Sequence, residues 1–202
     1  MTGVSTQPTA GPGITARKTH RGGHLPGESS MWFFVIGDLL IFGVYFVVYM
    51  YYRGQDQDLF LHSQAKLNLT IGAVNTVVLL TSSLFVALGT AAARAGKTTD
   101  AYRLFWLALA GGALFPALKA FEYIPEITAG LTPGTNLFFM FYYVMTGMHL
   151  CHVLLGLVIL GFVIRDLRSP APRMSLVETG ATYWHMVDLL WLVLFALLYL
   201  MR

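Results

Sequence analysis

The sequence predicts an all-α, polytopic membrane protein, a bundle of five transmembrane helices, and three observations carry that prediction. Of its 202 residues, 56% are hydrophobic and only 11% are charged, against about 25% charged in ordinary globular domains. The mean hydropathy is +0.63. Five apolar stretches are each long enough to cross about 30 Å of hydrocarbon as a helix of about 20 residues. So few charges cannot cover a water-soluble domain of this length, and lipid is therefore the expected solvent for most of the chain.

Residues 1–30 are rich in Gly, Pro, Thr and Ser and contain no apolar run. They read as a flexible N-terminal arm, with the transmembrane domain over 31–202. No small-residue cleavage site follows the first apolar stretch, which is expected to stay in the mature protein. The five segments run over 31–52, 68–93, 102–121, 137–164 and 182–201. Between them lie RGQDQD at 53–58, RAGKTTD at 94–100, PEITAGLTPGTN at 125–136 and RDLRSPAPR at 165–173. Aromatic residues at segment ends, Tyr49, Tyr51 and Tyr52 on one and Tyr142 and Tyr143 on another, match an interfacial belt.

Alternate connections differ in basic charge. Arg17, Lys18, Arg21, Arg94, Lys97, Arg103, Arg165, Arg168 and Arg173 fall on one side, and Arg53, Lys66, Lys119 and Arg202 on the other. The positive-inside rule then puts the N-terminus in the cytoplasm and the C-terminus in the periplasm. A net charge of +3 reflects this topology, and no nucleic-acid partner is expected. The single cysteine, Cys151, excludes an internal disulfide framework and any multi-cysteine metal site.

Function must be read from polar residues inside the apolar segments, because burying them in a membrane is costly. Asp38 lies seven residues into the first segment. It is either an acid that holds two helices together or part of a proton path. Asn75, Thr76, Ser82 and Ser83 on the second segment are small polar residues of the kind that let helices pack closely. Lys119 and Glu122 at the end of the third segment can meet at i, i+3, or both can snorkel to the interface, which the end position favours.

His149 and His152 share a face of the fourth segment and can bind a metal or haem, or hydrogen-bond neighbouring helices. The fifth segment opens with Glu178. Trp184, Asp188 and Trp191 follow at i, i+4 and i+7 as a packing stripe, and His185 is spaced to meet Asp188. No nucleophile with a base, phosphate-binding glycine loop or closed metal-ligand set is visible.

The order of these elements resembles subunit III of the cytochrome c oxidases, in the haem–copper oxidase family, from about residue 28 to the end. FFVIGDLLIFG at 33–43 is similar to the family's helix with a buried carboxylate. NT at 75–76 with LL at 79–80 and SS at 82–83 resembles a second motif, and FEY at 121–123 a third. TGMHLCHV at 146–153 with Gly156 resembles TGxHxxHVxxG. Glu178 with YWHMVDLLW at 183–191 resembles E…YWHFVDxxW. Two departures stand out: many members have two further helices that form one wall of a lipid-holding cleft, and the familiar acid at Asp38 is Glu.

The resemblance implies a subunit that binds no cofactor itself, with haem and copper in partner subunits I and II. It implies support of the catalytic subunit, with Asp38 as the proton-uptake candidate and contacts to membrane phospholipids. Asn75, Glu122, His149, His152, Glu178, His185 and Asp188 would form a structural polar network, with Trp184 and Trp191 as packing residues and no metal ligand among them. The five-helix plan also resembles homologues associated with nitric oxide reductase, towards which Leu59, Phe60, Ser63, Gln64 and 67–69 point. A third, distant alternative is a haem-binding membrane protein using His149, His152 and His185.

Overall fold

The computed structural model describes residues 29–201. The arm expected over 1–30 lies outside the described residues except for Ser29 and Ser30, which open the first helix. Helix α1 spans Ser29–Gln55, α3 Leu69–Arg94, α4 Thr98–Thr128 and α5 Leu137–Asp166, with a short α2, Gln57–Gln64, between the first two. Helix α6, Met174–Phe195, runs on into a π-helical turn over Ala196–Leu200. Five of these helices are long and apolar enough to cross a membrane. Among the described residues there is no strand.

The connections are closed by side-chain caps. The Asp56 carboxylate accepts from the Leu59 amide at 3.2 Å, and Asn68 Oδ1 accepts from Thr70 and Ile71 at 3.0 and 3.3 Å. Asn136 Oδ1 accepts from Phe139 at 3.0 Å. Each cap satisfies amides that open the following helix. The turns after α3 and α4 use Gly96 and Gly130 at φ of 75° and 79°, the left-handed conformation that glycine takes without steric cost.

Three elements differ from the sequence reading, for a common reason. Hydropathy ends a helix where apolar residues stop, but backbone hydrogen bonding continues through polar residues buried against neighbours. Helix α2 forms in a stretch read as part of a loop, because Phe60, Ser63 and Gln64 are buried under the bundle. Helix α4 continues past 121 through Pro125 to Thr128. Helix α6 begins at Met174 rather than 182, with Val177 fully buried.

Helix α6 is the centre of the bundle, packed on α3 and α5, and α4 completes the group by packing on both of those. Helix α1 leans on α5 and α6 with most of its surface outward. Close packing depends on glycine at two positions. Trp184 lies between Gly112 of α4 and Gly156 of α5, where a β-carbon would come within 2.5 Å and 2.8 Å of its ring.

Candidate functional site

The polar side chains singled out in the sequence form not one network but several local constellations at different depths. Asp38, on α1, meets His152, on α5, with Oδ2 3.3 Å from Nε2 and both side chains mostly enclosed. The contact has ion-pair distance without hydrogen-bond alignment, since Oδ2 has no hydrogen-bond partner. His152 Nδ1 lies 2.8 Å from the Met148 carbonyl, and Phe42 packs edge-on against the ring. The other nitrogen is thereby aimed at Asp38, a pairing that one helix alone could not reveal.

His149, one turn away, faces a different neighbourhood. It is fully buried, stacked on Trp191 with ring centres 5.3 Å apart and edge-on to Phe115. Trp191 Nε1 donates to Thr76 Oγ1 at 3.0 Å, tying α6 to α3. Neither nitrogen of His149 nor the amide of Asn75 has a protein partner. Buried polar groups without partners are places where ordered water is expected.

Lys119 and Glu122 do not snorkel, contrary to expectation. Because α4 runs on to Thr128, both sit inside the bundle, 1% and 2% exposed. Lys119 Nζ donates to Glu122 Oε2 at 2.8 Å, to the Tyr199 hydroxyl at 2.8 Å and to the Tyr142 hydroxyl at 3.1 Å. Tyr199 in turn donates to Glu122 Oε1 at 2.6 Å. The three acceptors saturate the ammonium, as an ion buried in a membrane protein requires.

Tyr142 is thus an interior residue rather than part of an aromatic belt, and so is Tyr49, whose hydroxyl donates to the Leu197 carbonyl at the π turn. Glu126 joins the group through long contacts of 3.4 Å from Tyr142 and Tyr143. Sequence reasoning missed Tyr142, Tyr199 and Glu126. The signal for Glu126 was present, since 119, 122, 123 and 126 line one face of a helix. A cavity of about 270 Å³ lined by Lys66, Asn68, Glu122 and Glu126 opens beside this cluster.

His185 and Asp188 were expected to meet directly; instead His185 pairs with Ser83 of α3. The Ser83 Oγ is 2.7 Å from His185 Nδ1. Asp188 Oδ1 is buried without a protein partner. His185 itself is exposed on the outer face of the bundle. Glu178, at the start of α6, pairs with Arg94 at the end of α3 at 2.9 Å, with Arg94 half-exposed.

The three histidines of the haem alternative therefore face three different surroundings: aromatic rings, Asp38 and Ser83. Among the described residues no group of three or more His, Cys, Asp or Glu side chains converges to hold a metal ion. What the arrangement does chemically is to join helices in pairs at depths where water cannot compete. It also places one titratable pair, Asp38 and His152, between α1 and the core.

Residues 25–202 match the family described as cytochrome c oxidase subunit III. The chain belongs to that family. It is similar to cytochrome c oxidase subunit 3 of Thermostichus vulcanus, with 32% identity over 177 residues that cover 83% of this chain and 84% of that one. The same-named protein of Synechocystis sp. is 35% identical over 172 residues, covering 83% and 72% respectively. A heme-copper oxidase subunit I+III of Aeropyrum pernix is 29% identical over 187 residues, 86% of this chain but 22% of that longer protein. The paired helices around Asp38–His152, Trp191–Thr76 and Ser83–His185 are thus features of a subunit III chain built on five spans.

Proposed function

We propose that this chain works as a non-catalytic accessory subunit of a haem–copper respiratory oxidase, beside catalytic subunit I and subunit II, with haem and copper held by those partners. The membership in the subunit III family carries this reading. The nitric oxide reductase alternative gains no support: the relatives reported above bear oxidase names. The residues that suggested it also have structural duties, with Phe60, Ser63 and Gln64 buried under the bundle and Asn68 capping α3. The subunit sits in the bacterial cell membrane with its N-terminus cytoplasmic, in accord with the excess of Lys and Arg on that side.

Asp38 is the residue through which the chain assists proton uptake. It lies about 10 Å inside the start of the apolar span at Met31, given 1.5 Å per residue, and the single observation that supports a protonic role is its 3.3 Å approach to His152. An acid and an imidazole in contact can hold and pass a proton where no water is at hand. Asp38→Asn keeps the shape but cannot ionise. In the assembled oxidase it is expected to leave haem spectra normal while turnover falls at high pH or inactivation comes sooner. Wild-type turnover and lifetime across about pH 6–9, a range spanning the ordinary titration of histidine, would defeat the relay role. Loss of assembly in Asp38→Leu together with a silent Asp38→Asn would make the contact structural.

A further inference from the structure

Glu126 is an acid to which the Lys119 cluster assigns no cation. It sits just before Thr128, the last residue of α4, and is 7% exposed. The titratable groups around it are Lys119, Glu122 and Tyr123 on its own helix, Tyr142 and Tyr143 on α5, and Tyr199 in the π-helical turn. Lys66 lines a cavity that Glu126 also lines.

The polar hydrogens of this group can be assigned one by one. The Lys119 ammonium has three, taken by Glu122 Oε2, the Tyr199 oxygen and the Tyr142 oxygen. Tyr199 gives its single hydrogen to Glu122 Oε1 at 2.6 Å. Tyr142 directs its own to Glu126 Oε1 at 3.4 Å. Tyr143 gives its own to the Leu131 carbonyl at 2.8 Å. Glu126 Oε2 lies 3.4 Å from that same Tyr143 oxygen, which is long for a donated O–H bond. The tyrosine has no second hydrogen to offer. An ionised Oε2 would face a lone pair there, whereas a protonated Oε2 would donate to it.

The charges agree. Lys119 and Glu122 cancel as an enclosed pair 2.8 Å apart. An ionised Glu126 beside them adds one uncompensated negative charge, which is costly inside a membrane bundle. A proton on Oε2 removes both faults. Water can deliver it, because the cavity of about 270 Å³ beside Glu126 is polar and roomy enough to hold water.

We infer that Glu126 is a proton-binding site: Oε2 holds a proton, donates it to the Tyr143 oxygen, and exchanges it with water through the cavity lined by Lys66 and Ala129. On release the proton passes to cavity water, and Lys66 is the cation left to balance the carboxylate. Asp38 lies near the start of the first span and Glu126 near the end of the third. Successive spans alternate in direction, so the two acids lie towards opposite faces of the membrane. The site is independent of which complex the chain joins.

The test is infrared spectroscopy of the full chain in membranes as water is exchanged for heavy water. A protonated carboxyl has a C=O stretch clear of the carboxylate bands, and that stretch shifts on deuteration. Glu126→Gln is expected to lose one such band and leave the carboxylate bands unchanged. Glu126→Asp keeps the acid and is expected to keep the band at a moved position. Ala129→Phe fills the cavity and should slow deuteration of the band at least about tenfold, because exchange must then wait for local opening of the bundle. Loss of carboxylate intensity in Glu126→Gln would overturn the proposal. So would a Glu126 carboxylate band that responds to sodium or potassium, the mark of a cation site. Equally fast deuteration in Ala129→Phe would overturn exchange through the cavity. If Glu126→Gln does not fold, Glu126→Asp decides, since an unmoved band in that variant would put the proton on another acid. Each of these results leaves the oxidase-subunit reading untouched, and failure to co-purify with an oxidase leaves the proton site untouched.

Discussion

Gly112→Ala tests the packing at the centre of the bundle. The new β-carbon would stand 2.5 Å from Trp184 Cη2, 2.6 Å from Cζ2 and 3.0 Å from Leu157 Cδ2. Carbon atoms pack best at about 3.5–4.0 Å, so the indole must retreat by about 1 Å. It has nowhere to go. Its opposite edge already lies where a β-carbon on Gly156 would come within 2.8 Å, and Trp184 is 1% exposed.

Overpacking of this kind costs about 1–3 kcal/mol, and the closed far side argues for the upper end. For a chain of this length about 3 kcal/mol corresponds to a fall of about 6–12 °C in melting temperature. The assay is thermal unfolding of the detergent-solubilised chain, alone and within its complex. Trp184→Phe removes the two ring atoms that clash, so Gly112→Ala should cost less in that background, a positive coupling in a double-mutant cycle. An unchanged melting temperature for Gly112→Ala, or equal cost in both backgrounds, would refute the wedge.

Lys119→Met should destabilise the chain by about 3–5 kcal/mol, because it leaves Glu122 buried beside apolar groups without its ammonium. Adding Glu122→Gln should recover much of that loss, as read by the same melting assay. Arg94→Ala, which breaks a half-exposed pair with Glu178, should cost less than about 1 kcal/mol and lose even that at high salt. Trp191→Phe leaves the Thr76 hydroxyl without its donor across the helix interface and should lower stability by about 1–3 kcal/mol. Loss of turnover with intact assembly in that variant would mean a functional role in place of a structural one.

The five spans were legible because the hydrocarbon requirement acts on each helix separately, and a run of apolar residues reports it directly. The ends of those helices were less so. Lys119, Glu122 and Pro125 break the hydropathy of α4 without breaking its backbone, which placed the ion pair at the membrane surface when it lies inside. Asp38 stood out as an acid at depth, but its partner His152 is on another helix, and no spacing within one segment encodes which helices touch.

The same limit explains Ser83. His185 and Asp188 are spaced to meet, yet His185 pairs with a hydroxyl from α3, and only the packing of α3 on α6 brings it there. Tyr142 resembled belt aromatics by position. It is buried among Tyr123, Phe138 and Tyr199, the last of which the π turn at the end of α6 presents to Lys119.

The account rests on the chain being one subunit of an oxidase whose redox centres belong to its partners. A tag on this chain, purification in a mild detergent, mass spectrometry of the co-eluting proteins and an absorbance spectrum of each fraction measure that directly. The expected result is a complex containing a catalytic oxidase subunit, with Soret absorbance that follows that subunit and is missing from this chain once it is stripped free. Soret absorbance that stays with the isolated polypeptide in fixed stoichiometry, or a complex without an oxidase catalytic subunit, would contradict it.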